Sequence, residues 1–200
     1  MSELNQILKE EAMMKEAFDS HEALTHLTYE HCGSTILRIA SYITDALGNG
    51  RKVILMGNGG SAADAQHLAA ELVGRFTRER KGLPAIALTT DSSILTAIAN
   101  DYGYDQVFSR QVDALAQKGD VVIGISTSGN SPNILKAMEI AANKGCILIG
   151  FSGGRGGNLY KNTDLCVIVP SLVTARIQEM HILIGHVLCD IIESYFLEKS

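Results

Sequence analysis

The stretch that decides the fold is KVILMGNGGSAADAQHLAAE, at residues 52–71. It begins with an apolar run at 53–56 that is typical of a buried strand, and it breaks at Gly57-Asn58-Gly59-Gly60. Good helix formers follow from Ser61. The pattern predicts a strand, a glycine turn and a helix. The unpaired N–H groups of the turn, at the positive end of the helix dipole, would form an anion-binding site.

The rest of the chain continues this alternation of short apolar strands and helices. Because strand–helix alternation implies a parallel sheet with right-handed crossovers, we expect an α/β fold. The arrangement we adopt is a three-layer sandwich around a five-stranded parallel sheet of order 2-1-3-4-5. We predict one domain over residues 1–200, with extra N-terminal helices up to about residue 48 that pack on the core or on another subunit. The predicted strands are 53–56, 85–88, 121–125, 147–151 and 166–169, and the predicted helices are 3–30, 32–47, 61–75, 92–99, 106–117, 132–143 and 174–198.

Composition excludes several classes of protein. Hydrophobic residues make up 46% and charged residues 20% of the chain, as in globular rather than disordered proteins. The net charge of −5, without a basic cluster, argues against a nucleic-acid partner. The four cysteines lack CxxC spacing, the N-terminus lacks the features of a signal peptide, and no apolar run approaches a membrane span. We therefore expect a cytoplasmic protein without a membrane partner.

The glycine turn at Gly57–Gly60 also fits the dinucleotide-binding pattern G-x-G-x-x-A, which ends at Ala62. That pattern requires an acidic residue about 20 residues later, at the end of the next strand. A charged loop at 78–81 occupies this region instead, and Asp91 comes late. A dinucleotide site is thus disfavoured, and a tight strand–helix turn without a ligand remains an alternative.

A second polar loop, Ser126-Thr127-Ser128-Gly129-Asn130-Ser131, follows the third predicted strand and precedes a predicted helix at Pro132. Four hydroxyl groups at a helix N-terminus favour a phosphate group, although a polar loop in which only Ser131 caps the helix is the simpler alternative. In a sheet of order 2-1-3-4-5 the first and third strands are neighbours where the winding reverses. Open α/β sheets bind ligands in that crevice, so we expect both loops to meet there.

Two helices carry side chains capable of chemistry. His67 and Glu71 are four residues apart on one helix face, and Gln178 and His186 are eight apart on the last helix. Such side chains can hold a divalent metal or transfer protons. From spacing alone, a helical His–Glu pair is more often an ordinary surface pair than a site, and glutamine is an uncommon metal ligand.

A family resemblance is carried by four segments: GNGGSAADAQHLAAEL, AIANDYGYDQVFSRQV, GDVVIGISTSGNSPNILKA and RIQEMHILIGHVLCDII. Over nearly the whole chain they resemble the sugar isomerase (SIS) domain and, more closely, the phosphoheptose isomerase family. The resemblance implies a homotetramer with active sites at subunit interfaces, and one zinc ion per subunit bound by residues matching His67, Glu71, Gln178 and His186. It implies that a sugar phosphate is bound by residues matching Asn58, Gly59, Gly60, His67, Glu71, Asn100, Asp101, Ser126, Thr127, Ser128, Ser131 and Gln178.

The activity implied by this resemblance is aldose–ketose isomerisation. Sedoheptulose 7-phosphate would become D-glycero-D-manno-heptose 7-phosphate through an enediol, as the first step of bacterial heptose biosynthesis. Glu71 and His186 match the acid–base pair of the family, and which of them is the base stays open. His181, three residues after Gln178, is expected to be structural.

Three other functions are considered. A non-catalytic SIS relative binds the DnaA initiator protein, but it lacks counterparts of Glu71 and His186, so the presence of both favours an enzyme. A regulatory SIS module would bind a sugar phosphate without converting it. An isomerase or aldolase-like enzyme could act on a different sugar phosphate.

Overall fold

The computed structural model describes residues 3–199; Met1, Ser2 and Ser200, which the domain prediction includes, lie outside this range. A sheet of five parallel strands forms its centre, in the order β2-β1-β3-β4-β5. This is the predicted order, and it makes β1 and β3 neighbours. The strands are β1 (Val53–Gly57), β2 (Ala85–Ala87), β3 (Val121–Ile125), β4 (Ile147–Gly153) and β5 (Leu165–Val169).

Helices cover both faces of the sheet, which confirms the three-layer α/β architecture. Successive side chains of a strand point to opposite faces, so Val53 and Leu55 join one hydrophobic cluster while Ile54 and Met56 join the other. The first cluster includes α1, α2 and α7, and the second includes α4 and α5. The helices are α1 (Glu3–Gly48), α2 (Gly60–Val73), α3 (Ser92–Tyr102), α4 (Ser109–Leu115), α5 (Pro132–Asn143), α6 (Gly157–Lys161) and α7 (Thr174–Glu198).

The N-terminal segment differs from the prediction of two helices, because α1 is one continuous helix of 46 residues. The expected break lay at residue 31, two residues before Gly33, but a single glycine weakens a helix by only about 1 kcal/mol and does not end it here. Packing outweighs that cost here: Cys32 is buried against the sheet, and its Sγ lies 3.4 Å from the carbonyl oxygen of Ile168. The first part of α1 instead exposes large apolar side chains, including Leu8, Met14 and Phe18.

Smaller differences follow from local chemistry. The helix predicted at 106–117 is a 3-10 turn, Tyr104–Gln106, followed by the shorter α4. The helix predicted at 92–99 runs on to Tyr102, and it starts where the Asp91 carboxylate accepts a hydrogen bond from the N–H of Ile94 (2.9 Å). The short α6 was not predicted, since it starts within a glycine-rich segment that disfavours helices.

One helix in the described range, α7, is long and apolar enough to cross a membrane by length and composition alone. Its most apolar window has a mean hydropathy of 1.4, and 44% of that window is buried inside the protein. Polar residues interrupt this segment, which is why the sequence analysis found no membrane span. Nine residues of α7 are buried, and the helix contacts α1, α2 and the sheet, as the core helix of a folded domain does.

A buried carboxylate connects α7 to the loop that follows α2. Glu193 has no exposed surface, and it accepts hydrogen bonds of 2.9 Å from the backbone N–H groups of Phe76, Thr77 and Arg78. Its Oε1 also lies 3.3 Å from Nε of Arg80, whose side chain is only 3% exposed. Burial acts to raise the pKa of Glu193, but the N–H donors outweigh it and lower the pKa to about 2.

Candidate active site

Three side chains from two helices converge beside the sheet. Nε2 of His67 lies 3.0 Å from Oε1 of Glu71, and Nε2 of His186 lies 3.3 Å from Nε2 of His67. One ligand atom from each of the three lies within 4.8 Å of the others. His67 is exposed, whereas Glu71 and His186 are half-buried. The structure thus brings one helical pair, His67 and Glu71, together with His186 of the other helix within one chain.

Close helix packing accounts for this convergence. A Cβ on Gly185 would lie 2.4 Å from Cδ2 of Leu68, so only glycine lets α7 approach α2 so closely one residue before His186. The ring of Phe76 packs beside the ring of His186, with 5.5 Å between their centroids. Phe76 is itself fixed by the carboxylate of Glu193. The orientation of His186 is therefore determined by packing on both sides.

Gln178 lies at the other end of the contact between α2 and α7. Its carboxamide lies over the first turn of α2, where a Cβ on Gly60 would come within 2.5 Å of its Nε2. Gly60 therefore leaves the space that this side chain occupies. The structure places Gln178 and Gly60 side by side, two positions that the sequence analysis had assigned to the same ligand.

The hydroxyl-rich loop folds back on itself at the end of β3. The Oγ atoms of Ser126 and Ser131 lie 2.9 Å apart, and those of Ser126 and Ser128 lie 3.5 Å apart. Ser131 stands at the N-cap position of α5, but its hydroxyl makes no capping hydrogen bond to the helix. The side-chain cap that the alternative assigned to Ser131 is therefore not formed. The hydroxyl groups of Ser126, Ser128 and Ser131 instead cluster together, as expected of an oxyanion-binding loop.

Asn58 connects the glycine turn after β1 with the first turn of α5. Its side chain exchanges two hydrogen bonds, of 3.0 and 2.9 Å, with the side chain of Asn133, and it accepts a third, of 3.1 Å, from the hydroxyl of Tyr104. Gly59 has a φ of +58°, and a Cβ added to it would meet nothing within 4 Å, so the turn is open to a ligand. Asn133 and Tyr104 lie within segments that carry the family resemblance, but the sequence analysis assigned them no role.

Asn100 and Asp101 are exposed near the end of α3. Within residues 3–199 their side chains hydrogen-bond to each other, 2.8 Å from Nδ2 to Oδ1, and make no hydrogen bond to His67, Glu71 or His186. No residue of α3 is fully buried.

A further carboxylate on α2 was also missed. Asp64 lies one turn before His67, and within the described residues its Oδ2 is buried without a hydrogen-bond partner. Burial raises the pKa of this carboxyl to about 6, and nearby His67 lowers it only in part. The helical spacing from His67 is the one signal that could have pointed to it.

His181, which the sequence analysis expected to be structural, is buried. Its Nε2 lies 3.1 Å from the carbonyl oxygen of Ser152, and burial lowers its pKa to about 4, as is expected for a structural histidine.

The donor set formed by His67, Glu71 and His186 fits a divalent metal. Imidazole nitrogens and a carboxylate oxygen are ordinary zinc ligands, and catalytic zinc sites use three protein ligands of this kind. The ligand atoms already converge within 4.8 Å on one side of the α2–α7 contact. The residues present are therefore chemically suited to the metal that the sequence resemblance implied.

Comparison with known proteins agrees with this fold. The family model of the SIS domain matches residues 18–153. The phosphoheptose isomerase of Geotalea daltonii is 54% identical over 180 residues, which cover 90% of this chain and 94% of the relative. The phosphoheptose isomerase of Roseiflexus sp. is 57% identical over 172 residues, which cover 86% of this chain and 87% of the relative.

Solved structures extend the likeness to three dimensions. The phosphoheptose isomerase GmhA from Neisseria gonorrhoeae superposes with a TM-score of 0.88 at 42% identity, covering 92% of this chain and 98% of that one. The phosphoheptose isomerase from Francisella tularensis gives a TM-score of 0.88 at 40% identity, and the match covers 97% of this chain and 100% of that one. The chain belongs to the phosphoheptose isomerase family, a group of sugar-phosphate isomerases built on the SIS domain.

Proposed function

We propose that this protein converts sedoheptulose 7-phosphate to D-glycero-D-manno-heptose 7-phosphate, the first step of bacterial heptose biosynthesis. The observation that carries the proposal is the meeting of Glu71 with His67 and His186, within 4.8 Å, in a chain that also has the hydroxyl-rich loop at the end of β3. The reaction needs a base to remove a proton from carbon and an acid to protonate oxygen. Both kinds of group are present in this cluster.

Glu71 and His186 are the proposed acid–base pair. A half-buried carboxylate can take the proton from the carbon next to the carbonyl, and an imidazole can give a proton to the carbonyl oxygen as the enediol forms. The reverse assignment uses the same two groups. General acid–base catalysis of this kind accelerates a reaction about 10²–10⁴-fold. His67 contacts both side chains and would keep Glu71 and His186 in a fixed position relative to each other.

Zinc is the metal we propose for this site, bound by His67, Glu71, Gln178 and His186. When bound, it would supply a Lewis acid for the oxygens of the first two sugar carbons. The carboxamide of Gln178 would have to turn from its place over Gly60 towards the other three ligands.

The phosphate end of the sugar is proposed to bind to the loop that contains Ser126, Thr127, Ser128 and Ser131. Hydroxyl and backbone N–H groups converge there at the start of α5, where the helix dipole favours an anion. Asn58, Gly59 and Gly60 would bind the sugar from the adjacent turn, and Asn100 and Asp101 are proposed to contact it as well. Fixing the phosphate end sets the distance from the reacting carbons to Glu71.

A homotetramer with active sites at subunit interfaces is the assembly we propose, each chain forming a single domain. Its support is an apolar groove of about 660 Å³ between α1 and α7, lined by side chains that include exposed Leu37, Leu183 and Val187. The exposed apolar residues in the first part of α1 need a covering surface too. Asn100 and Asp101 on the exposed α3 would then meet their ligand together with residues of a neighbouring subunit. A cytoplasmic location, where sugar phosphates are made, is part of this proposal.

An isomerase assay is the direct test. The purified protein is incubated with sedoheptulose 7-phosphate, and the aldoheptose phosphate is measured by NMR spectroscopy or by chromatography. In D₂O, enzymatic turnover should incorporate deuterium at the carbon that exchanges its proton. Binding of the sugar phosphate without product would favour the regulatory SIS module. If the protein converts only a different sugar phosphate, the proposed substrate is wrong. Binding to DnaA is not favoured, because Glu71 and His186 are both present and in contact with His67.

A further inference from the structure

The hydroxyl-rich loop presents hydrogen-bond donors but no charge, because residues 126–131 are Ser, Thr, Ser, Gly, Asn and Ser. A phosphate monoester near neutral pH carries nearly two negative charges. Neutral donors can orient such a group, yet a charged donor makes hydrogen bonds that are roughly twice as strong. A nearby cation would therefore complete the site.

Arg155 shares a cavity wall with this loop. The cavity has a volume of about 350 Å³, and among the described residues Arg155 is the one charged residue in its wall. The polar residues of this wall include Thr127, Ser128, Asn130, Ser171 and Thr174. A volume of this order is that of a small-ligand pocket. Thr174 also begins the 25-residue helix α7, whose dipole adds to the positive potential of the cavity.

The guanidinium of Arg155 is free to bind a ligand. Within residues 3–199 it makes no hydrogen bond or ion pair, whereas Arg78, Arg80 and Arg176 are each engaged with carboxylates of the same chain. In that same range no carboxylate lines the cavity to neutralise it. An unpaired arginine that shares a cavity with hydroxyl groups is suited to binding phosphate, since its planar fork can donate two parallel hydrogen bonds.

The segment that carries Arg155 is fixed to the hydroxyl-rich loop. The N–H of Gly153 donates to the carbonyl of Thr127 (3.1 Å), and the N–H of Leu159 donates to the carbonyl of Gly129 (2.9 Å). Gly129 and Gly156 approach so closely that a Cβ on Gly129 would lie 2.1 Å from the carbonyl oxygen of Gly156. Because these contacts flank Arg155 on both sides, its backbone keeps one position relative to Thr127 and Ser128.

We propose that Arg155 binds the phosphate group of the sugar phosphate, and that the cavity between Arg155 and the Thr127–Ser128 side of the loop is the phosphate subsite. This inference rests on the proposed function for the identity of the substrate, but it makes a separate statement about anion binding. It adds a charged substrate-binding residue that none of the sequence motifs contains.

Binding of inorganic phosphate tests the subsite without turnover. Isothermal titration calorimetry would compare the wild type with Arg155→Gln, Arg155→Lys and Arg51→Gln. Arg51 is an exposed arginine beside Gly119, just before β1, at the end of the sheet away from the loop, so it is the matched control. We expect Arg155→Gln to weaken phosphate binding about 10-fold, Arg155→Lys to weaken it less, and Arg51→Gln to leave it unchanged.

Steady-state kinetics give a second test, because a purely structural role of Arg155 would not raise KM alone. In Arg155→Gln, KM for sedoheptulose 7-phosphate should rise about 10-fold while kcat and the thermal midpoint stay near those of the wild type. Unchanged phosphate affinity in Arg155→Gln, an equal loss in Arg51→Gln, or no saturable phosphate binding by the wild type would each overturn the subsite. Failure of the wild type to isomerise the sugar would instead count against the proposed function, and the phosphate titration would still decide the role of Arg155.

Discussion

Nε2 of His186 lies 3.3 Å from Nε2 of His67, although 119 positions separate the two residues in the chain. The contact joins α2, the helix that follows β1, to the last helix, and His67 also contacts the carboxylate of Glu71. Two imidazoles and one carboxylate at this separation can share a metal ion or a proton. Turnover and metal content, measured in variants of these residues, distinguish the two uses.

Glu71→Gln should abolish most of the turnover while leaving substrate binding measurable. The amide keeps the size of the side chain but cannot accept the proton from carbon, so we expect kcat to fall about 10²–10⁴-fold. The KM should change far less than kcat. Glu139→Gln, on the exposed face of α5, is a matched control that should keep wild-type kinetics. Near wild-type turnover by Glu71→Gln would remove this residue from the catalytic assignment.

Removal of His67 should reduce metal binding. His67 contacts both Glu71 and His186, so His67→Ala takes one ligand from the centre of the donor set. We expect the metal content, measured by mass spectrometry after dialysis against zinc, to fall from one per chain to well below that value. His26→Ala, an exposed histidine on α1, should keep the full content. Equal zinc in both variants would contradict the metal site.

Gly60→Ala should move Gln178 with little cost in stability. A Cβ at this position would lie 2.5 Å from Nε2 of Gln178, and the flexible end of that side chain can turn away. Gly60 stands in a helix, so alanine is intrinsically favourable there by about 1 kcal/mol. We expect a thermal midpoint equal to or above that of the wild type, with an increased KM for the sugar phosphate. Gly48→Ala, where a Cβ meets nothing within 4 Å, is the control that should leave KM unchanged.

Local patterns explain what could be predicted from the sequence. The turn after β1 and the loop after β3 each lie within one short segment, so their residue types and spacing specify a strand end and a helix start. The strand–helix alternation indicated a parallel sheet, and the order 2-1-3-4-5 was adopted as the arrangement that makes the two strands before these loops neighbours. Both loops lie where they were expected.

Contacts between distant segments explain what could not be predicted. Spacing placed His67 and His186 on separate helices, and only the family resemblance suggested that they meet. Asn133 and Asp64 each stand alone in a helix, so the hydrogen bonds to Asn58 and the unpartnered oxygen of Asp64 become visible only in the folded chain. Likewise, the continuity of α1 past Gly33 depends on packing against β5 and α7, which no local propensity encodes.

Glu193→Gln should destabilise the protein strongly at neutral pH. The carboxylate is fully buried, accepts three backbone hydrogen bonds and pairs with the nearly buried Arg80. Its replacement leaves that arginine uncompensated, which in buried pairs costs about 3–5 kcal/mol of the free energy of unfolding. Asp190→Asn is the matched control, because Asp190 pairs with Arg78 at the exposed surface, 3.0 Å away, where a pair contributes about 0–1 kcal/mol.

The pH dependence of stability tests the same carboxylate. Its pKa is lowered from 4.5 to about 2 in the folded chain, so between these values the unfolded chain binds more protons than the folded one. The stabilisation is therefore complete above pH 4.5 and is lost as the pH falls towards 2. Urea unfolding at several pH values should show the difference between the wild type and Glu193→Gln shrinking across this window. A difference that stays constant down to pH 2 would mean that the charge of Glu193 does not stabilise the loop, and that only its shape does.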